Sequence, residues 1–486
     1  MSVSDTVESR QAELMIHTLF FFIPFFMLGG TAWQGGSLYL CAMFVPTFLM
    51  LRGKSAPDFH RWRIPLLMIG CSFFTMFLIF PFANFINFLT EPGHAVRMFV
   101  PEGNPPFRKL LTSQMSSGFL MSGIFLCVFS LFLSGKKQNR LSRMVNADLL
   151  LKRFHQGMLF ASLILLSYGV LQHFTGIDLM SSTGRLSETR FLASSGRYRT
   201  SGFFGHPLSL AGASLGIYVF YLILCRGRLR LFNQGTRLVR RASATKNEVS
   251  IVILLIISLS HLALIVLSGG RFASMVAVFL TIIFLFMEIS TGAVSVKNIF
   301  AALILVLSGV VIASQSGLLD RYPEIWSQIK SGGPERFKFW DVYWAMIEDK
   351  PWFGHGYAWM KFWSRDVYYS VMGYEQLAHK YNAHNIYLET LSNVGLFGSM
   401  ILLFSLIFSG LAFRYLISFG GFKLAGTAFF ISVFANMING ITQNTFFDSN
   451  VVFIYLFLYW TFLWLSVLNS GGSVKRPALS KNSPVE

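Results

Sequence analysis

The stretch IVILLIISLSHLALIVLSGGRFASMVAVFLTIIFLFMEIS, residues 251–290, decides the fold class. Two apolar runs, each close to the ~20 residues that carry a helix across a bilayer, flank Ser268-Gly269-Gly270-Arg271, and the only full charges are Arg271 and Glu288. The whole chain follows this pattern. Of its 486 residues 53% are hydrophobic and only 13% charged, with 52 Phe, whereas a soluble domain carries about 25% charged residues. The length would allow several soluble domains, and the composition excludes them. Reading outward in windows of ~19 residues gives apolar spans near 14–34, 37–51, 64–89, 114–133, 149–173, 202–225, 249–268, 272–290, 297–314, 386–413, 424–444 and 451–469. The expectation is an all-α polytopic membrane protein of about twelve transmembrane helices, the short second span being the weakest.

Twelve spans place both termini on one side, and charge bias tests the count, because Lys and Arg gather in cytoplasmic connections. The segments assigned inside hold 24 of the 40 basic residues and 8 of the 22 acids, a net +16 inside against +2 outside. The net charge of +18 is thus explained by topology and anionic headgroups, and a nucleic-acid partner is not needed. The expected organisation is a cytoplasmic N-terminus (1–13), helices one to nine over 14–314 with outside loops at 90–113 and 174–201, a large outside loop (315–385), helices ten to twelve over 386–469, and a disordered cytoplasmic tail (470–486). The first span follows acidic residues and lacks a small-residue cleavage site, so it reads as a retained anchor. Cys41, Cys71, Cys127 and Cys225 all fall in or at the end of apolar spans; they read as packing residues, with no disulfide framework and no metal site.

Long loops usually have a job. The loop 315–385 holds six of the ten Trp and seven of the 16 Tyr. Within it Pro334 to Lys350 reads as an amphipathic helix, with Phe337, Trp340, Trp344 and Ile347 at spacings of three and four. These aromatics suit an interfacial belt or a lid whose rings stack on sugar faces.

Basic residues outside run against the positive-inside rule, so each invites a functional reason. Arg185, Arg190, Arg197 and Arg199 crowd the second outside loop, Arg271 stands between two apolar spans, and Arg336 opens the amphipathic helix. The planar fork of Arg matches phosphate oxygens, and a charge held at a membrane boundary calls for a partner. His384 follows the large loop in HNIYLETLSNVGLFG, residues 384–398. Helical spacing puts His384, Tyr387 and Leu391 on one face, with Gly395 and Gly398 further along for close helix packing. An imidazole there could take a proton from a sugar hydroxyl, or it could be structural.

This string resembles the O-antigen ligase and polysaccharide polymerase superfamily, whose pattern is His, then Asn, Ser or Gln, then nine residues and Gly-x-x-Gly. His384, Asn385, Gly395 and Gly398 occupy those places, with Tyr387, Leu388 and Leu391 matching a common variant. Three more stretches resemble family signatures in order: Arg199 to Pro207 through Gly202, Gly205 and His206; Ser268 to Arg271; and Arg336-x-x-x-Trp340 running on to Lys350-Pro351-Trp352-Phe353-Gly354-His355-Gly356. The likeness covers about residues 197–415.

The resemblance implies a fold of the type-C glycosyltransferase superfamily and an inverting, metal-independent transfer that needs no cofactor, in the bacterial inner membrane with the active site periplasmic. The donor would be a glycan on undecaprenyl diphosphate, and the acceptor the lipid A core or a growing polysaccharide. By motif, Arg271 and Arg336 would bind the diphosphate and offset its growing charge, His384 would orient or deprotonate the acceptor hydroxyl, and Asn385 would hold the local geometry. Arg199 and His206, with Tyr387 and Trp340, complete the implied substrate site. A ligase of finished polysaccharide and a polymerase of repeat units fit the same residues. A non-catalytic transporter or flippase would instead need paired intramembrane charges and broken helices near the midplane.

Overall fold

The computed structural model describes residues 3–29, 60–90, 147–179, 191–192, 197–233, 250–290, 335–356, 365–377, 383–419, 421–443 and 448–470. The expected spans near 37–51, 114–133 and 297–314, the connection 91–113, Arg185, Arg190, Cys41, Cys127 and the tail from residue 471 lie outside the described residues.

Eleven helices occur among the described residues. They are α1 (Val3–Leu28), α2 (His60–Thr90), α3 (Ala147–Thr175), α4 (Pro207–Asn233), α5 (Ile251–Leu267), α6 (Arg271–Ser290), α7 (Glu335–Asp349), α8 (Arg365–Val371), α9 (Ile386–Phe419), α10 (Lys423–Asn439) and α11 (Ser449–Ser470). A two-residue antiparallel ladder pairs β1 (Phe191–Leu192) with β2 (Arg197–Tyr198). Among the described residues four helical stretches are long and apolar enough to cross a bilayer: Ala147–Thr175, Pro207–Gly227, Arg271–Glu288 and Ile386–Ser418. Of their most apolar windows, that of α4 is 89% buried, whereas those of α6 and α9 are 33% and 17% buried. Phe279, Ile282 and Phe286 on α6, and Phe397, Phe404 and Phe408 on α9, therefore face outward. Water would not tolerate such continuous apolar faces, and lipid does. The architecture is that of an all-α membrane protein.

Helix α4 is the hub. Residues 209–221 are buried without interruption, as expected of a helix apolar all round, and α5, α10, α6 and α11 pack against it. Polar side chains fix the register of this core. The His261 ring on α5 bonds Ser162 on α3 at 3.1 Å and Ser214 on α4 at 3.2 Å. Asn436 on α10 donates to Gly212 O on α4 at 2.9 Å and to the Tyr455 hydroxyl on α11 at 2.5 Å. Helices α4 and α6 begin together, where Gly270 presses on Ala211, a contact so close that a Cβ at Gly270 would meet the Ala211 Cβ at 2.6 Å. They are joined again at the far end, where Arg226 Nε donates to the buried Glu288 carboxylate. That ion pair lies about 22 Å along α4 from Ala211 at 1.5 Å per residue.

The expected sixth span starts at residue 202, but α4 starts at Pro207. Gly202 and Gly205 have φ of 55° and 72°, which no helix accommodates, and Pro207 suits a first helical position.

A larger departure concerns Gly395, expected to serve close helix packing. Gly395 instead has φ 66° and ψ −175° and breaks α9, a conformation almost confined to glycine. The break strands backbone groups that must be satisfied in a membrane, and Pro351–Gly356 satisfies them. Leu396 and Phe397 donate to Pro351 O (2.7 Å) and Trp352 O (3.0 Å), while Ser392 O and Asn393 O accept from His355 and Gly356 N–H, both at 2.8 Å. A Cβ at Gly395 would sit 2.3 Å from Trp352 C. Gly395→Ala therefore adds roughly 1–3 kcal/mol of backbone strain to a backbone collision. The variant is expected to lose the docking of 351–356, seen as faster proteolysis between α7 and α9 and a lower melting temperature in detergent. Wild-type values for both would refute the docking account.

Beyond the main core, α7, α8 and the 3₁₀ turn Glu375–Leu377 form a second small core of Phe339, Val342, Tyr343, Met346, Tyr369, Leu377 and Ala383. The amphipathic helix is present, but its buried face is Phe339, Val342, Tyr343 and Met346. Phe337 and Trp344 of the expected stripe are 48% and 54% exposed. That exposure leaves them available for the expected belt or lid, while the opposite face packs against Tyr369 and Ala383.

Candidate active site

The candidate residues fall in two groups, both built at helix ends. The first lies where α4 and α6 begin. Segment 197–206 is threaded between the ends of α3 and α5: the Gln172 carboxamide oxygen accepts from Ser201 N (2.9 Å) and Gly202 N (3.0 Å), Thr200 N donates to Leu267 O (3.2 Å), and Arg199 Nε donates to Ser268 O (3.1 Å). Arg199 is thereby pinned to the turn that ends in Arg271. That turn is held by Ser268, whose hydroxyl donates to Ile265 O (2.6 Å) and accepts from Gly270 N (3.2 Å). Gly269 turns the chain at φ 65°, and Arg271, half-buried, becomes the first residue of α6. His206 caps α4: its Nδ1 accepts from Leu208 N at 3.1 Å, which assigns the ring proton to Nε2. The resemblance places Arg199 in the same implied substrate site as Arg271, and Ser268 O is the atom that ties the two together.

The second group gathers where α7 meets the start of α9. His384 was expected on a helical face with Tyr387 and Leu391, yet α9 begins two residues later and His384 has φ 50°, the one non-glycine residue with positive φ among the described residues. A strained backbone of this kind persists only where its surroundings enforce it. Asn385 supplies part of that enforcement. Its Oδ1 accepts from Tyr387 N (2.9 Å) and Leu388 N (3.2 Å), an N-cap worth about 1 kcal/mol, and Ile386 N donates to Gly440 O at 2.8 Å. The first amides of α9 are thus occupied by protein, so an anion at this point would be held by side chains.

Trp340 touches the same place. Its Nε1 donates to Ala383 O at 3.0 Å, so the indole is a strut for the chain before His384. The Phe339 ring lies 6.2 Å from the His384 ring, centroid to centroid. Arg336, half-buried, is one turn earlier on the face shared by Phe339 and Trp340. The Tyr387 hydroxyl donates to Met437 O at 2.9 Å and ties α9 to α10. Glu389 had drawn no attention in the sequence. It is buried, and its carboxylate accepts from Ala383 N at 3.1 Å; an acid in the first turns of an otherwise apolar span was the available signal.

Helix α10 links the two groups through its last turns. Asn436 bonds Gly212 O, next to the Ala211 that seats Gly270, and Gly440, one turn later, receives Ile386 N. Both site arginines share a feature. Arg271 and Arg336 occupy the first turn of their helices, the positive end of the helix dipole, where a cation is disfavoured unless an anion offsets it.

Residues 249–404 match the O-antigen ligase family model. The matched segment runs from α5 through the break in α9 and contains Arg271, Arg336, Trp340, His384, Asn385 and Tyr387. The likeness read from the motifs is therefore borne out over this O-antigen ligase-like segment, while Arg199 and His206 lie before it. No curated protein matches the chain.

Proposed function

We propose that the chain is an O-antigen ligase-like membrane glycosyltransferase that moves a glycan from undecaprenyl diphosphate to an acceptor hydroxyl at the outer face of the bacterial inner membrane. The observation that carries this reading is the placement of Arg271 and Arg336 in the first turns of α6 and α7. A cation at a positive helix end favours an anion beside it, and the fork of Arg suits phosphate oxygens. A diphosphate fits that requirement, and the O-antigen ligase match supplies the lipid-linked glycan.

In this mechanism His384 takes the proton of the acceptor hydroxyl as that oxygen attacks the anomeric carbon of the donor sugar. The bond from that carbon to the diphosphate breaks with inversion, and the departing diphosphate carries the electron pair. Arg271 and Arg336 face the charge where it grows, which is where fixed positive groups lower a barrier most. Arg199, pinned to Ser268 O, extends the positive surface beside Arg271. No metal is required by these roles.

Glycan size tests the reading. In a strain lacking this chain, long glycan retained on the lipid carrier is the expected result and marks a lost ligase. Single repeat units on the carrier would mark a polymerase acting through the same residues. An unchanged glycan profile, with neither species accumulating, would remove the glycosyl-transfer reading.

A further inference from the structure

We infer that Glu389 is a positioning residue that holds His384 in its left-handed backbone conformation, through one half of a clamp whose other half is Trp340. This rests on the proposed role of His384 and extends it to residues that do not touch the reacting atoms.

The peptide groups around Ala383 carry the case. Ala383 is fully buried, its N–H donates to Glu389 Oε2 at 3.1 Å, and its C=O accepts from Trp340 Nε1 at 3.0 Å. Both polar groups of the residue before His384 are thus taken by side chains from two different helices. The residue after it, Asn385, is fixed as the α9 cap, and Ile386 is fixed to Gly440 O. His384 therefore lies between two anchored neighbours with φ 50°. A non-glycine residue left to itself abandons that region, and rotation about φ would swing the imidazole to another side of the chain. Asn385 and Gly440 hold only the downstream anchor; Glu389 and Trp340 hold the upstream one.

The choice of residue also makes physical sense. Glu389 lies in the first turn of α9, so its carboxylate sits near the positive end of that helix dipole, and it reaches back over the cap to Ala383. Asn393, one turn further, donates to Glu389 O at 2.6 Å, which stiffens the turn from which the carboxylate extends. A misplacement of about 1 Å in a reacting group can lower a rate by ~10²-fold, so loss of the clamp should be read in turnover.

The test uses the full chain in membranes, with wild type and H384A as controls. Glu389→Ala is expected to lower kcat roughly 30- to 100-fold, with KM for donor and acceptor each changed less than about threefold. Glu389→Gln keeps an oxygen that accepts from Ala383 N–H and is expected to recover kcat to within about fivefold of wild type. A wild-type kcat in E389A overturns the proposal, as does a loss confined to KM. Equal loss in E389Q and E389A would do the same, since charge and not the hydrogen bond would then be what matters. Should E389A fail to accumulate, Trp340→Phe removes the other bond while keeping a ring in place; there a kcat fall of about tenfold supports the clamp and a wild-type kcat overturns it. A second readout is independent of glycan transfer: the rate at which diethyl pyrocarbonate modifies His384, followed by mass spectrometry of its peptide. Faster modification in E389A than in wild type and E389Q supports the clamp even if the wild type transfers no glycan, an outcome that would sink the functional reading alone. Equal rates in all three overturn it.

Discussion

His384→Ala is expected to abolish glycan transfer by membranes that contain normal amounts of the protein, a fall of about 10²–10⁴-fold if the imidazole acts as general base. The size follows from what the side chain would do. An acceptor hydroxyl is a weak nucleophile until its proton is removed, and no other described residue of the second group that is able to take a proton at neutral pH shares the enforced geometry of His384. The variant should fold, because His384 is only half-buried and the helix cap belongs to Asn385. Transfer retained at more than a tenth of the wild-type rate would take His384 out of the chemistry and leave it a structural role. Its φ of 50° makes substitution by Gly a useful companion, since Gly keeps the backbone without strain and so separates the loss of the ring from any shift of the chain.

Arg271→Ala has the next largest expected effect, a loss of roughly 10²-fold in kcat/KM for the lipid-linked donor, comparable to removing one group that stabilises a developing anion. The requirement for acceptor should stay nearly unchanged. Arg271→Lys should recover only part of the loss, because an ammonium binds phosphate as a point charge without the bidentate fork. Donor titration at saturating acceptor, and the reverse, reads the difference. Equal effects on both substrates would argue against a diphosphate clamp, and full rescue by Lys would argue that only net charge is used there. Because Arg199 is pinned to Ser268 O, it stands close enough to couple with Arg271, and the double variant is expected to deviate from additivity.

The positions of the long helices were legible because apolar runs of bilayer length have one stable solution in lipid. Helices α5 and α6 begin within two residues of the spans read at 249 and 272. The turn between them was visible as two glycines and an arginine. Local signals fell short where neighbours decide the outcome. The spacing of Phe337, Trp340, Trp344 and Ile347 found a helix, and Phe337 and Trp344 are exposed as a belt or lid requires; its packed face was not legible, since periodicity locates a stripe without saying what lies opposite it. Helical spacing also placed His384 on α9, although the Asn385 side chain ends the helix just after it. The candidate site was proposed by residue type and motif, and Arg271, Arg336 and His384 all lie in the matched segment. Glu389 was hidden because its partner is a backbone amide, and no sequence pattern shows where an amide will be left in need of an acceptor.

What the sequence determined by itself is the solvent of this protein and the inventory of its candidate site. With 53% hydrophobic residues and 13% charged ones, only helices that close their own hydrogen bonds can form inside lipid, and arginines outside the positive-inside pattern stand out as soon as the spans are drawn. What only the tertiary structure decided is how the helices are interrupted. Gly395 could have packed two helices together; it breaks one, because Pro351–Gly356 is there to take up Leu396 and Phe397 N–H and to supply donors for Ser392 and Asn393 O. His384 could have continued a helix; it turns back, because Glu389, Trp340 and Gly440 occupy the backbone groups on either side of it. In both places the local chain has more than one allowed conformation, and the choice is made by hydrogen-bonding groups from elements distant in sequence, which low-dielectric surroundings make too costly to leave unpaired.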